Sequence, residues 1–390
     1  MSRRQPPLVP RMAEHTTSVF AEMSMLAAQV GAVNLGQGFP DTDGPQALKD
    51  IAIEAIRQGR GNQYPPPHGL PLLREAIAAH QQRFYALEVD PATEVVVGTG
   101  ASEVIQSTVL ALIDEDDEVL VFEPWFDIYA AGISLARGRR VGVPMSGPGL
   151  RPDLDGLRAA VTPRTRMILL NSPHNPTGIV FTPDELAEVA RIAIDNDLLV
   201  LSDEAYEHLW FDGHRHVPIA TLPGMRERTV TVGSGGKSFS FTGWKIGWAT
   251  GPADLIAAVR VVRQHLSYVS GGPFQYAMAH GLGLPDAYFA DFRTDLAGKR
   301  DLLSGGLASL RLRVIPTEGT YFVTTDVRPL GYSDGLAFCR ELPGRAGVIA
   351  IPHQAFCDDE AIGAPYVRWA FCKRPDVLHQ ALDRLQAAFA

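Results

Sequence analysis

The chain has 390 residues, too many for one simple core, and this points to two domains or a large domain with a smaller companion. Hydrophobic residues at 46% and charged residues at 20% exclude a disordered chain, and no apolar run is long enough for a membrane span. A net charge of −9 excludes a general binder of nucleic acid or anionic membranes, yet leaves room for a local basic pocket around a small anion.

The N-terminal MSRRQPPLVPRMAEHTT combines arginines with prolines and has no apolar core, so it does not read as a secretory signal. Cys339, Cys357 and Cys372 lack C-x-x-C spacing; disulfides and zinc are not expected, and a reducing compartment, the cytoplasm, is. From about Leu48 to Gly251, short apolar runs alternate with amphipathic stretches. The runs are EVVVG (94–98), EVLVF (118–122), RMILLN (166–171), LLVLS (198–202) and TVTVG (229–233), each bounded by turn residues and each read as a buried strand. Helical patterns lie between them. In TPDELAEVARIAIDND, Thr182 is the expected N-cap, Pro183 the first helical residue and Glu185 the partner closing a capping box. This alternation predicts an α/β fold with a mostly parallel sheet between helices. Beyond residue 285 the texture changes to a long helix (DAYFADFRTDLAGKRDLLSGGLASL), LRVIP, TYFVTT, a helix, VIAIP, YVRWAF and a helix from about Pro375. That order predicts a smaller α+β domain. The expected division is 46–285 for the large domain, with 1–45 and 286–390 forming the small one.

Ligands of such sheets bind beyond the carboxyl ends of the strands. After EVVVG come Thr99, Gly100, Ala101 and Ser102 opening a helix, an anion site of free N–H groups. After RMILLN comes SPHNPTG with Asn175; after LLVLS come Asp203 and Tyr206; after TVTVG come Ser234, Gly235, Gly236 and Lys237. Singly, each has an ordinary structural explanation: a turn with an N-cap, a packed phenol, an exposed lysine. Together they supply an amine for a Schiff base, a carboxylate for a protonated pyridine nitrogen, donors for a phenolate oxygen and a phosphate cradle, the set that pyridoxal phosphate chemistry uses.

The sequence resembles the class I/II aminotransferases of pyridoxal-phosphate fold type I over essentially its whole length. The motifs are NLGQGFPD (34–41), NQYPPPHG (62–69), EPWFDIY (123–129), NSPHNPTG (171–178), SDEAYEH (202–208), GSGGKSFSFTGWKIGW (233–248) and YVRWAFCKR (366–374). Their style is that of the branch holding the kynurenine (glutamine K), methionine and N-succinyldiaminopimelate aminotransferases. FAEMSMLA (20–27) and AFCKRPD (370–376) look most like the actinobacterial succinyldiaminopimelate enzymes. The resemblance implies that Lys237 carries the cofactor and moves the proton, and that Asp203 pairs with the ring nitrogen. It implies that Asn175 and Tyr206 meet the phenolate oxygen, that Phe126 stacks on the ring, and that Gly100, Ala101, Ser102, Ser234 and Lys245 hold the phosphate. Lys245 stands where many class I enzymes have arginine, which replaces a planar fork by a point charge. Arg368 is implied to grip the substrate carboxylate, with Gly38 close by. Tyr64 resembles a tyrosine that reaches the neighbouring subunit's phosphate, which implies a homodimer with shared sites. The implied substrates are an amino acid and a 2-oxo acid, with 2-oxoglutarate and glutamate as the second pair.

Other readings compete. A C–S β-lyase would share every cofactor motif, and broad methionine, glutamine or kynurenine specificity would share most of the pocket. A non-catalytic regulator of this fold would carry a DNA-binding domain, for which there is no room before NLGQGFPD. Gly236-Lys237-Ser238 is not a P-loop, because Thr231 stands where the first glycine belongs. Gly98-Thr99-Gly100 lacks the third glycine of a dinucleotide fingerprint. His208, His214 and His216 are expected at the surface or in hydrogen bonds, with no acidic partners at metal-ligand spacing. The acidic run 114–118 reads as a solvated turn. Trp125 and Phe126 are the aromatic candidates for the pocket, and stretches near 15–30, 64–68 and 268–275 are expected to shape it.

Overall fold

The computed structural model describes residues 7–15 and 19–389; part of the N-terminal stretch judged against a signal lies outside them. A two-residue strand β1 (Val33–Asn34) precedes the large sheet. That sheet holds β2 (Val95–Thr99), β3 (Glu118–Glu123), β4 (Arg139–Ser146), β5 (Arg151–Pro152), β6 (Thr165–Asn171), β7 (Leu199–Asp203), β8 (Thr229–Ser234) and β9 (Ile246–Thr250). Their order is β2-β9-β8-β7-β6-β3-β4-β5. The run from β8 to β4 is parallel, β9 is antiparallel to both neighbours, and β5 is antiparallel to β4.

All five expected strands form. They are apolar throughout because both faces are covered. Val119, Val121, Leu169 and Val232 meet Val104, Ile105 and Val109 of the helix Gly100–Leu112. Leu120, Phe122, Ile168 and Leu170 meet Leu186, Val189 and Ile192 of the helix Pro183–Asp195. Each such side chain, fully buried, contributes about 1.5–3 kcal/mol. The capping box forms as well: Thr182 Oγ1 accepts the Glu185 N–H at 3.2 Å and the Thr182 N–H donates to Glu185 Oε2 at 2.8 Å. Strands β4 and β9 were not singled out. β4 is half-exposed, so it lacks a continuous apolar signal. β9 contains Gly247, where a Cβ would stand 2.3 Å from the Ala101 nitrogen; close packing on the helix start requires glycine there, which interrupts the apolar run.

The smaller layer contains β10 (Arg313–Val314), β11 (Phe322–Asp326), β12 (Val348–Ile349), β13 (Ile351–Pro352) and β14 (Tyr366–Ala370), in the antiparallel order β10-β11-β14-β13, with β12 parallel to β1. The VIAIP run expected as one strand is two, because Val348–Ile349 pairs with β1 and Ile351–Pro352 with β14. Met23, Ala27, Val33 and Leu35 share a core with Leu303, Phe338, Val348 and Trp369, and Tyr206 and Leu209 from the large sheet's loops pack into it. Among the described residues, no helix is long and apolar enough to cross a membrane.

Candidate active site

A cavity of about 280 Å³ opens where the carboxyl ends of β2, β6, β7 and β8 meet the smaller layer. Parallel register sets Asn171 of β6 beside Asp203 of β7. Strand β9 runs the other way, so its first residue, Ile246, pairs with Thr99 and brings Lys245 to the same edge. The wall includes Gly100, Ala101, Ser102, Ser234 and Lys245 on one side, and Asn175, Asp203, Tyr206 and Lys237 in the middle. Phe126 adds to the large-sheet side, and Gly38 and Arg368 lie toward the smaller layer. Twelve of the thirteen expected site residues therefore converge. Tyr64 does not: it is 79% exposed, lies edge-on to Tyr268 at 5.3 Å, and lines a separate surface hollow with Gly61 and Val269–Gly272.

The helix Gly100–Leu112 begins with Gly100 at φ +76, a conformation that admits glycine without strain. A Cβ there would stand 3.2 Å from the Lys245 ammonium. The helix start, two serines and a lysine thus line one side of the cavity, the kind of surface an anion takes. Asp203 is buried, and among the described residues its carboxylate accepts two bonds, from the Tyr129 hydroxyl to Oδ2 at 2.5 Å and from the Ala205 N–H to Oδ1 at 3.1 Å. Burial pushes its carboxyl upward, and the Tyr129 bond pulls it back. Lys237 Nζ donates to the Tyr321 hydroxyl at 2.9 Å and to the Gly38 carbonyl at 3.3 Å. Burial lowers its pKa to about 8, helped by the Arg368 and Lys245 charges and opposed by Cys372 and Asp203.

Arg368 is 2% exposed on β14. It donates to Asn175 Oδ1 at 2.8 Å and to the Gly36 carbonyl at 2.7 Å, and its guanidinium lies 4.0 Å over the Phe322 ring. Its Nε has no partner, and no carboxylate stands within ion-pair distance of it among the described residues. Burial lowers its pKa to about 10, so it stays a cation at neutral pH. A buried cation without a counter-ion is costly, and an incoming carboxylate removes the cost.

The profile of aminotransferase class I and II matches residues 30–385. The chain belongs to the class I and II aminotransferases. A probable N-succinyldiaminopimelate aminotransferase of Mycobacterium tuberculosis is 50% identical over 387 residues, which cover 97% of each chain. The methionine aminotransferase of Escherichia coli is 37% identical over 97% of this chain and 98% of its own. The solved structure of N-succinyldiaminopimelate aminotransferase from Mycobacterium tuberculosis superposes with a TM-score of 0.95 at 50% identity, over 98% of this chain and 100% of that one. The chain is therefore an aminotransferase of fold type I, acting on amino acids and 2-oxo acids with pyridoxal 5′-phosphate.

The cavity fits that cofactor by its own chemistry. It combines an anion cradle, a buried carboxylate that can accept from a protonated ring nitrogen, and an amine of lowered pKa, and these are the three partners a phosphorylated pyridine aldehyde needs. Sequence reasoning missed Tyr129 and Tyr321, and also Phe20 and Phe39 on the wall. Tyr129 lies at the end of the EPWFDIY motif, three residues past Phe126 in the same helical turn, and that spacing could have flagged it. Tyr321 sits in a turn whose direction no local pattern reveals.

Several expectations need correction. Trp125 is buried beneath Arg140, with the guanidinium 4.6 Å from its ring, and lines a neighbouring groove, not the cavity. Helix Val19–Val30 occupies most of the 15–30 stretch and contributes Phe20 to the wall; residues 16–18 lie outside the described set. The 64–68 and 268–275 stretches contribute no residue to this wall; Tyr64, Pro65 and Val269–Gly272 line the separate hollow instead. His208 and His216 do have acidic neighbours: His216 bonds Glu204 at 2.8 Å, while His80, Glu207 and His208 cluster in the core. The His80 and His208 Nε2 atoms are 2.8 Å apart with ring centroids at 5.0 Å, so the nitrogens point at one another. That gap holds a proton; an ion needing about 2.0–2.1 Å from each nitrogen does not fit on that line.

Proposed function

We propose that this enzyme transfers the amino group of N-succinyldiaminopimelate, or a close analogue, to 2-oxoglutarate in the cytoplasm. The half-identity to relatives of that name over nearly the full chain supports this substrate. In this reading Lys237 holds the cofactor through its amine, Asp203 its ring nitrogen, and Asn175 and Tyr206 its phenolic oxygen. Gly100, Ala101, Ser102, Ser234 and Lys245 hold its phosphate, and Phe126 covers one face of the ring. The cofactor supplies an electron-withdrawing ring beside the substrate nitrogen. Arg368 orients the α-carboxylate, with Asn175 and Gly38 beside it, which leaves the α-hydrogen toward Lys237. Lys237 Nζ, freed once the substrate amine takes its place, would take that proton and return it on the cofactor side, and the second oxo acid would reverse these moves. Tyr64, exposed on the surface beside Tyr268, serves the neighbouring subunit of a homodimer.

The observation that carries the reading is Arg368, a buried cation left without a carboxylate. A second reading, broad methionine-type specificity, has an observation of its own. Phe20, Phe39, Phe126 and Phe322 line the cavity, and its wall offers no arginine besides Arg368 among the described residues. Titration of the purified, cofactor-loaded protein decides. Bleaching of the cofactor's visible band by N-succinyldiaminopimelate well below the concentration of methionine needed supports the first reading, and the opposite order supports the second. A band that persists while a cysteine conjugate yields pyruvate and thiol marks a lyase and overturns both.

A further inference from the structure

The turn Glu318–Tyr321 is clamped between the two layers. The Phe211 N–H donates to the Glu318 carbonyl at 2.8 Å, and the Thr320 N–H donates to the Leu209 carbonyl at 3.0 Å. From the other side the Phe371 N–H donates to the Tyr321 carbonyl at 3.0 Å. A Cβ on Gly319 would stand 2.8 Å from the Leu209 carbonyl, so the close approach depends on glycine. The Tyr321 ring, 1% exposed, is wedged edge-on against Tyr206 at 5.2 Å and Phe322 at 4.8 Å. Its hydroxyl is therefore fixed in space before any ligand arrives. That hydroxyl donates to the Gly38 carbonyl at 2.5 Å and accepts from Lys237 Nζ at 2.9 Å.

We propose that Tyr321 is a positioning residue for Lys237. With its own proton committed to Gly38, its oxygen accepts an N–H of the Lys237 amine and turns the nitrogen lone pair toward the cavity whenever that amine is free. The inference rests on Lys237 being the proton carrier. An amine whose two N–H bonds point at Tyr321 and Gly38 keeps its lone pair on the opposite side, where the substrate α-carbon must lie. Burial holds the phenol well above its ordinary pKa, so the hydroxyl stays a neutral donor and acceptor throughout the working range. A merely packed tyrosine would place its ring and leave the lysine to rotate.

The test is Tyr321→Phe in the full-length enzyme, with 3-fluorotyrosine at the same position as a second variant that keeps ring and hydroxyl but weakens the oxygen as an acceptor. Arg368, Lys245, Asp203, Cys372 and Tyr206, the charged or titratable groups facing Lys237, are unchanged in both. Cofactor is removed, pyridoxal phosphate is added back, and its attachment rate is followed against pH, with borohydride fixing the product on Lys237 for mass analysis. Loss of an acceptor disfavours the ammonium form, so the midpoint should fall below the parent's, which is expected at about 8. Catalysis should fall at least about tenfold in kcat, with donor KM changed by less than about threefold, and the substrate α-deuterium isotope effect should rise. 3-Fluorotyrosine should give the same changes in smaller measure. Unchanged midpoint and kcat in both variants, with normal attachment, overturn this proposal alone. Failure of borohydride to fix cofactor on Lys237 in the unaltered enzyme overturns the functional reading beneath it.

Discussion

At the scale of single residues, the cavity is a set of polar groups whose burial is compensated only in part. Lys237 is the clearest case. Its lowered pKa means that the neutral amine, the form that attacks a carbonyl, appears near pH 8 and not near the lysine norm of about 10.4. Attachment of pyridoxal phosphate to the cofactor-free enzyme should therefore accelerate as pH rises, half-maximally at about 8. Stopped-flow absorbance measures this, and a midpoint near 10 would contradict it. Arg368 makes the complementary prediction. Arg368→Lys keeps the charge but loses the fork that bonds Asn175 and Gly36 together. The amino donor's kcat/KM should drop about 10- to 100-fold, the worth of one or two charge-assisted bonds, whereas a purely structural arginine would show its loss in thermal unfolding instead.

At the scale of elements, two helix starts do different work. The side chains of Thr182 and Glu185 each accept the other's backbone N–H at the start of Pro183–Asp195, outside the cavity wall. Thr182→Ala should cost about 1 kcal/mol in urea unfolding and leave kcat unchanged. The helix Gly100–Leu112 has no side-chain cap and leaves its N–H groups for an anion. Gly100→Ala would strain φ +76 and push against Lys245. Its cofactor dissociation constant should rise about tenfold, read by equilibrium dialysis, with a smaller effect on unfolding.

At the scale of the whole molecule, the buried cluster behind the sheet couples stability to pH. The Tyr85 hydroxyl donates to Glu207 Oε2 at 2.7 Å, and burial raises Glu207 from 4.5 to about 8. A carboxyl that holds its proton more tightly folded than unfolded stabilises the fold fully below pH 4.5. That contribution is lost as pH rises from about 4.5 to about 8. Glu207→Gln keeps an acceptor for Tyr85 without the ionisation. The urea midpoint of the parent should thus fall more steeply between pH 6 and 8 than that of Glu207→Gln. Parallel curves would place the proton elsewhere. Exposed Tyr64, Val261, Leu266 and Tyr268 are apolar surface of the kind a second subunit covers, and sedimentation at micromolar concentration tests that assembly.

Much of this was legible in the chain alone, for a physical reason. Strands buried on both faces must be continuously apolar, caps must be short and polar, and ligand groups of an α/β sheet must follow the strands. So β2, β3, β6, β7 and β8, the Thr182 capping box and the positions of Gly100, Asn175, Asp203 and Lys237 could be read from local pattern. Contacts that depend on chain closure could not. The Lys237–Gly38 bond joins residues 199 apart, Tyr321–Gly38 spans 283, and Tyr129–Asp203 spans 74. The reversal of β9 that delivers Lys245, and the clamp that aims Tyr321, leave no periodic trace, because their energy is repaid only when distant segments pack. Local chemistry determined which groups this protein carries to the ends of its strands; tertiary packing decided which of them touch and which way each one points.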